Sequence, residues 1–129
     1  IENVLESFDA VTLLQCLEHV LDPLVLCREI HHLLNPGGIL LVSVPNRYSY
    51  KVLRQGTSET YCFSNTTHLQ FFSRKTLSMM LRRAGFQQVE RIKRFGGSEL
   101  TGSAMSVQYA MRQLGLSTEL RFVAEKYSQ

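Results

Sequence analysis

An acid directly followed by a histidine at Glu18-His19, a second histidine at His68 and a thiol at Cys16 are the side chains of this sequence best suited to chemistry. A carboxylate beside an imidazole can orient a polar group, accept a proton or hold a divalent ion. The same pair can also serve structure, with Glu18 pairing locally and His19 filling space beneath a helix. His68, in Thr67-His68-Leu69-Gln70-Phe71-Phe72-Ser73, reads by itself as a histidine that ties its loop to the backbone. Cys16 has no basic partner placed by spacing, so it reads as a small residue of a loop rather than as a nucleophile. Cys16, Cys27 and Cys62 are odd in number, widely spaced and without a CxxC pair. They suggest reduced thiols and neither a disulfide framework nor a zinc site, and no metal is assigned. His31 and His32 lie on a segment whose other face is apolar and read as surface or packing residues. Tyr48, Tyr50 and Tyr61 suit either a stacking platform or a packed lid.

The elements that must position these residues follow from apolar spacing. Phe8–Leu14 is a short apolar run between polar residues, the pattern of a strand covered on both faces. Asp22-Pro23 is an N-cap followed by a proline in the first helical turn, so a helix begins there, with Cys27, Ile30 and Leu34 at three- and four-residue spacing. Asn35-Pro36-Gly37-Gly38 predicts a turn that stops it, and Ile39–Val44 a second buried strand closed by Pro45. Strand, helix and strand make a βαβ unit with a right-handed crossover, whose sheet needs helices on its faces. Glu18-His19 and Pro45-Asn46 then share the rim beyond the carboxyl ends of the strands, where open α/β sheets bind ligands.

Residues 47–67 have no clean period and read as a long excursion with a short helix at most. Ser73 can cap a helix with Leu77, Met80, Leu81 and Ala84 on one face, ending at Gly85, in which Met79 and Met80 read as core filler. A strand over 87–94, a helix with Val107, Ala110, Met111 and Leu114, and a last strand with Leu120, Phe122 and Ala124 complete an α/β layered fold.

The chain has 129 residues, 44% hydrophobic and 19% charged, which fits one domain over 1–129. No apolar run reaches the roughly 20 residues of a membrane span, and the start lacks a signal-peptide profile, so the sequence reads as cytosolic. A net charge of +3 is too small to imply nucleic acid. The basic pairs Arg74-Lys75, Arg82-Arg83 and Lys93-Arg94 read as a solvated face. The sequence opens on Ile1, seven residues before a buried-looking strand, and the expectation is a piece of a longer protein.

The runs FDAVTLLQCLEHVLDPLVLCREIHHLLNPGGILLVSVPN and THLQFFSRKTLSMMLRRAGF carry four motifs in order: FDxV, LEHVxDP, LxPGGxLxVxxPN and HxxFFS…L…AGF. Together they resemble the second half of a class I S-adenosylmethionine-dependent methyltransferase, in particular the small-molecule group that includes ubiquinone-biosynthesis O-methyltransferases. The resemblance covers residues 1–95 and, more loosely, 116–126, with 47–67 and 96–115 as variable insertions around a substrate pocket. It implies a Rossmann-like sheet in which Phe8–Leu14 is the fourth strand, Ile39–Val44 the fifth, the stretch after Gly85 the sixth and Glu119–Glu125 an antiparallel seventh between fifth and sixth. The family's first three strands, with their glycine-rich turn and ribose-binding acid, have no counterpart here.

The resemblance further implies S-adenosylmethionine as cofactor and a small molecule as methyl acceptor. Leu14, Gln15 and Cys16 would line the sulfonium end, Ile1 would touch the adenine, and His19 and His68 would be the catalytic candidates. Some relatives carry an acid where this sequence has Gln15 and bind a divalent cation with it. A strand edge left open where three strands are missing implies self-association or a covering partner. The alternative is a methyltransferase-like binding or regulatory subunit without the cofactor half. A nucleotide-binding module of another kind would need phosphate-cradling glycines after a strand, which Gly37-Gly38 and Gly96-Gly97 do not supply.

Overall fold

The structure is a computed structural model that describes residues 6–57, 61–92, 114 and 116–127. Ile1, the lysine–arginine pair at 93–94 that ends the predicted 87–94 strand, and nearly all of the 96–115 insertion lie outside the described residues.

Strand β1 (Phe8–Leu14) leads through a 3-10 turn (Leu17–His19) into helix α1 (Pro23–Leu33). Asp22 Oδ1 accepts the Val25 N–H at 3.0 Å and Pro23 stands at the first turn, the start that the Asp-Pro pair predicts. Strand β2 (Leu34–Pro45) begins directly at the end of α1. Here the expectation of a separate turn at Asn35–Gly38 is corrected. Phe8 pairs with Leu34 but Ala10 with Ile39, so the four residues are looped out as a bulge inside the strand. Gly37 takes φ +78°, the left-handed region that a glycine enters without steric cost.

The excursion holds two short helices, α2 (Tyr50–Gln55) and α3 (Tyr61–Ser64), where one at most was expected. Helix α4 (Arg74–Arg83) starts at a capping box in which Ser73 and Thr76 satisfy each other's backbone N–H groups. Leu77 and Leu81 are fully buried, whereas Met79 is 46% exposed and is not the core filler its neighbour Met80 is. Strand β3 (Gln88–Arg91) is shorter than expected, and β4 (Glu119–Glu125) closes the described chain.

The four strands run in the order β1-β2-β4-β3. β1 and β2 are parallel, and β4 is antiparallel to both its neighbours. Register divides the sheet into two faces. Leu40, Val42 and Val44 stand opposite Ala124, Phe122 and Leu120 on the side covered by α1 and α4, and with Val89 and Phe86 they form the core. Ile39, Leu41 and Ser43, opposite Glu125, Val123 and Arg121, face the other way.

Among the described residues no helix covers that second face, and β1 lies at the sheet edge. The expectation of a strand buried on both faces therefore fails for β1: Phe8 is 37% and Leu14 60% exposed. Apolar composition reports the burial a strand is built for, and the segments that would bury this one are not among these elements. No helix of the described residues is long and apolar enough to cross a membrane.

His31, on α1, packs edge-to-face on Phe86 with ring centroids 5.1 Å apart and lies against Gly85 at the end of α4. Gly85 has φ +112°, and a Cβ there would come within 3.1 Å of the imidazole. Burial, then the nearby charges of Lys126 and His32, lower the pKa of His31 from its ordinary 6.5, while its hydrogen bond to the Gly85 backbone opposes them. The fold thus favours the neutral ring while the unfolded chain takes up a proton near 6.5. Stability is full above that pH and falls as the pH drops below it through the folded-state value. Urea midpoints at pH 7.5 and pH 5 are expected to differ less in His31→Gln than in the wild type; equal differences would exclude His31 as a source of the acid sensitivity.

Candidate active site

β1 ends in a backbone irregularity that aims the rim. Gln15 has φ +51°, the left-handed region, which costs a residue with a side chain about 1–2 kcal/mol. Two tethers to β2 hold it: its backbone N–H donates to Ser43 O at 2.8 Å and its side-chain amide to Ser43 Oγ at 3.1 Å. The chain then turns inward, burying Leu17 and Glu18 completely and leaving His19 on the surface side.

The carbonyl of Glu18 accepts two backbone N–H groups, from Leu69 at 2.7 Å and Gln70 at 3.0 Å. That pair docks the Thr67–Phe71 segment on the loop after β1. As a result His19 and His68, the two predicted catalytic residues, lie together with ring centroids 4.9 Å apart.

Hydrogen bonding sets the tautomers. His19 Nδ1 lies 2.9 Å from Thr67 O and His68 Nδ1 2.8 Å from Cys62 O. A carbonyl only accepts, so both rings donate a proton from Nδ1 and leave Nε2 for the cluster. Nε2 of His68 accepts from the Asn65 amide at 3.2 Å. Nε2 of His19 stands 3.9 Å from Glu18 Oε1. Both oxygens of Glu18 are buried and have no hydrogen-bond partner.

This arrangement can remove a proton. The lone pair on His19 Nε2 accepts it, and the imidazolium so formed stands 3.9 Å from the buried carboxylate of Glu18, whose charge stabilises it. It is also a donor set for a cation, since Glu18, His19 and His68 each offer an atom within 4.8 Å of the others. Two imidazole nitrogens and a carboxylate oxygen are zinc-type ligands. Gln15 is turned to Ser43 and takes no part in the cluster.

Of the other predicted site residues, Leu14 is exposed on the open face of the sheet, Cys16 is half-buried and Ile1 is outside the described residues. Leu14 and Gln15 border a concavity of about 250 Å³ with Leu41, Ser43, Glu119 and Arg121 on that face. Cys27 belongs to the core, and burial with the nearby Cys16 pushes its thiol up to about 12, which keeps it inert.

Sequence reasoning missed Asn65 and the carbonyls of Cys62 and Thr67, which orient the two rings. Asn65 had a signal: its Oδ1 accepts the Thr67 N–H at 3.1 Å and the Thr67 hydroxyl at 2.8 Å, the Asx turn that an Asn two residues before a Thr encodes.

A family model described as a methyltransferase domain matches residues 3–91. The chain belongs to this methyltransferase domain family. A ubiquinone biosynthesis O-methyltransferase of Ruegeria pomeroyi is 36% identical over 91 residues, covering 67% of this chain and 37% of that protein. One of Xanthomonas campestris is 56% identical over 41 residues, 32% of this chain and 17% of that one. The matched residues thus span little more than a third of the first of these relatives and about a sixth of the second.

Among solved structures, a SAM-dependent methyltransferase of Thermotoga maritima superposes with a TM-score of 0.62 at 22% identity, over 97% of this chain and 60% of that one. An O-methyltransferase family protein of Burkholderia thailandensis gives 0.60 at 17% identity, over 95% and 31%. At such identities the structures speak for the fold, a Rossmann-like methyltransferase sheet.

Proposed function

We propose that this chain is the carboxyl-terminal half of a class I methyltransferase domain, with β1, β2, β3 and β4 as its fourth, fifth, sixth and seventh strands. The complete domain moves a methyl group from S-adenosylmethionine to a small-molecule acceptor. The observation that carries the reading is the strand order β1-β2-β4-β3 with β4 alone reversed, beside the family match over 3–91.

The cofactor supplies an electrophilic methyl group, so the protein's share is to hold the acceptor in line and take its proton. Leu14, Gln15 and Cys16 line the sulfonium side. Their fit rests on Leu14 standing clear of the core and on the left-handed Gln15, which bends the chain off the sheet beside the concavity. Ile1 contributes an adenine contact. His19 Nε2 takes the proton, Glu18 stabilises the resulting cation, and His68 closes the pocket over it. The relatives named as O-methyltransferases favour a hydroxyl as the acceptor group.

The test begins with the intact mass of the native polypeptide, expected well above 14.7 kDa. In that polypeptide, His19→Ala is expected to lower the rate of methyl transfer by about 10²–10⁴ while calorimetric binding of S-adenosylmethionine persists. A native polypeptide that neither binds the cofactor nor transfers the methyl group would overturn the reading.

A further inference from the structure

His19 and His68 come from distant parts of the chain, yet one side chain governs both rings. The carbonyl of Asn65 accepts the His68 N–H at 3.1 Å. Its Oδ1 accepts the Thr67 N–H at 3.1 Å and the Thr67 hydroxyl at 2.8 Å. Two donors on that oxygen fix which way the amide points, since an NH₂ group in its place could not accept the Thr67 N–H. The NH₂ therefore faces Nε2 of His68, 3.2 Å away.

A donor at that distance requires a lone pair on His68 Nε2, and the proton of the ring stays on Nδ1, where Cys62 O accepts it at 2.8 Å. Both nitrogens of His68 are thereby used inside the fold, and the residue is 7% exposed. Neither is left to take a proton from a substrate. The same Asn65 sets His19 through Thr67, whose backbone N–H its Oδ1 anchors and whose carbonyl accepts from His19 Nδ1 at 2.9 Å. His68, edge-on to His19 with ring centroids 4.9 Å apart, limits how far that ring turns.

This holding is needed because Glu18 works against it. Its Oε1, buried and without a hydrogen-bond partner, stands 3.9 Å from His19 Nε2. An approach of about one ångström would let a proton on Nε2 be donated to it, and an uncompensated buried carboxylate favours that form of the ring. A neutral imidazole with its proton on Nε2 has no lone pair on that side and is no base there. We propose that Asn65 is a positioning residue, which keeps Nε2 of His19 bare against the pull of Glu18 and makes His68 a strut rather than a second base. That Nε2 takes a proton from a methyl acceptor rests on the methyltransferase reading; the control of the tautomers does not.

The test labels the native polypeptide with ¹⁵N-histidine and reads the ring nitrogens by two-bond ¹H–¹⁵N correlation at pH 8, where an ordinary imidazole is neutral. His19→Gln and His68→Gln assign the signals. In the wild type both rings are expected to carry their proton on Nδ1 and none on Nε2. In Asn65→Ala the proton of His19 is expected to move to Nε2 in most molecules, and kcat for methyl transfer to fall about tenfold or more with affinity for S-adenosylmethionine unchanged. Asn65→Asp keeps one oxygen for Thr67 and turns the other to His68, so His68 is expected to gain a proton on Nε2 while His19 keeps its spectrum. A proton on Nε2 of either ring in the wild type, an Asn65→Ala spectrum that matches the wild type, or an Asn65→Asp spectrum in which His68 is unmoved would overturn the proposal. Should Asn65→Ala fail to fold, the other two spectra decide. Tautomers that move as expected in a polypeptide without methyl transfer would refute the enzyme reading and leave the role of Asn65 standing.

Discussion

Glu18→Met is expected to raise the thermal midpoint of the protein and to abolish methyl transfer in the complete domain. The carboxylate of Glu18 is 1% exposed and neither oxygen has a hydrogen-bond partner, while the nearest imidazole nitrogen stands 3.9 Å away on a half-exposed ring. Such burial is a standing cost to the fold: leaving a buried polar group unsatisfied costs about 1–3 kcal/mol, which an apolar side chain of similar volume removes. For a domain of this size each kcal/mol moves the midpoint by about 3–5 °C. Glu18→Gln, which keeps a polar group in the same place, is expected to gain less. Calorimetric melting of the three proteins checks this, and a lowered midpoint for Glu18→Met would show that the carboxylate is held by a partner in solution. A residue that weakens its fold and sits beside a base is placed for chemistry rather than for packing.

The second large effect concerns the bare sheet. Among the described residues no strand lies beside the outer edge of β1, and the open face presents Phe8, Leu14 and Ile39 at 37%, 60% and 39% exposure. An unpaired strand edge flanked by apolar side chains pairs with whatever edge it meets. At tens of micromolar these residues are expected to sediment as dimers or larger species. Thr12→Lys puts a charge on the face where Thr12 stands beside Leu41, and it is expected to weaken self-association by about tenfold or more. A monodisperse monomer from the unmodified sequence would sink this expectation, and so would a variant that associates as strongly.

How much of this was legible in the sequence depends on the range of the forces involved. The start of α1 at Asp22-Pro23 and the capping box at Ser73 are local, decided by three or four residues, and the structure keeps both. The last strand at Glu119–Glu125 follows from strict alternation, which burial repeats residue by residue. Asn35–Gly38 was misread because a proline and two glycines spell a turn locally, whereas pairing of Phe8 with Leu34 across the sheet continues the strand around them. Met79 was misread because it adjoins the apolar stripe of α4 without belonging to it.

At the site, the pairing of residue types at Glu18-His19 announced chemistry, and the family resemblance supplied His68. That the two histidines meet is a tertiary fact. It depends on a backbone carbonyl at Glu18 accepting two N–H groups from far along the chain, and backbone carbonyls leave no mark in a sequence. Asn65 escaped notice for a related reason, since an asparagine two residues before a threonine spells a turn, and nothing in that spelling says where the other end of its amide points.

The docking of the Thr67–Phe71 segment on Glu18 also sets when the site exists. His19 and Thr67 are 48 positions apart, so joining them closes a long loop, and that closure carries an entropy cost no local helix shares. The pieces on either side, α1 and α4, form from neighbouring residues, while the constellation between them rests on contacts distant in sequence and is expected to open before either helix melts. The amides of Leu69 and Gln70 are consequently the natural clock of the site. The rate at which they trade hydrogen for deuterium reports the fraction of time during which the contact that brings His19 and His68 together is open.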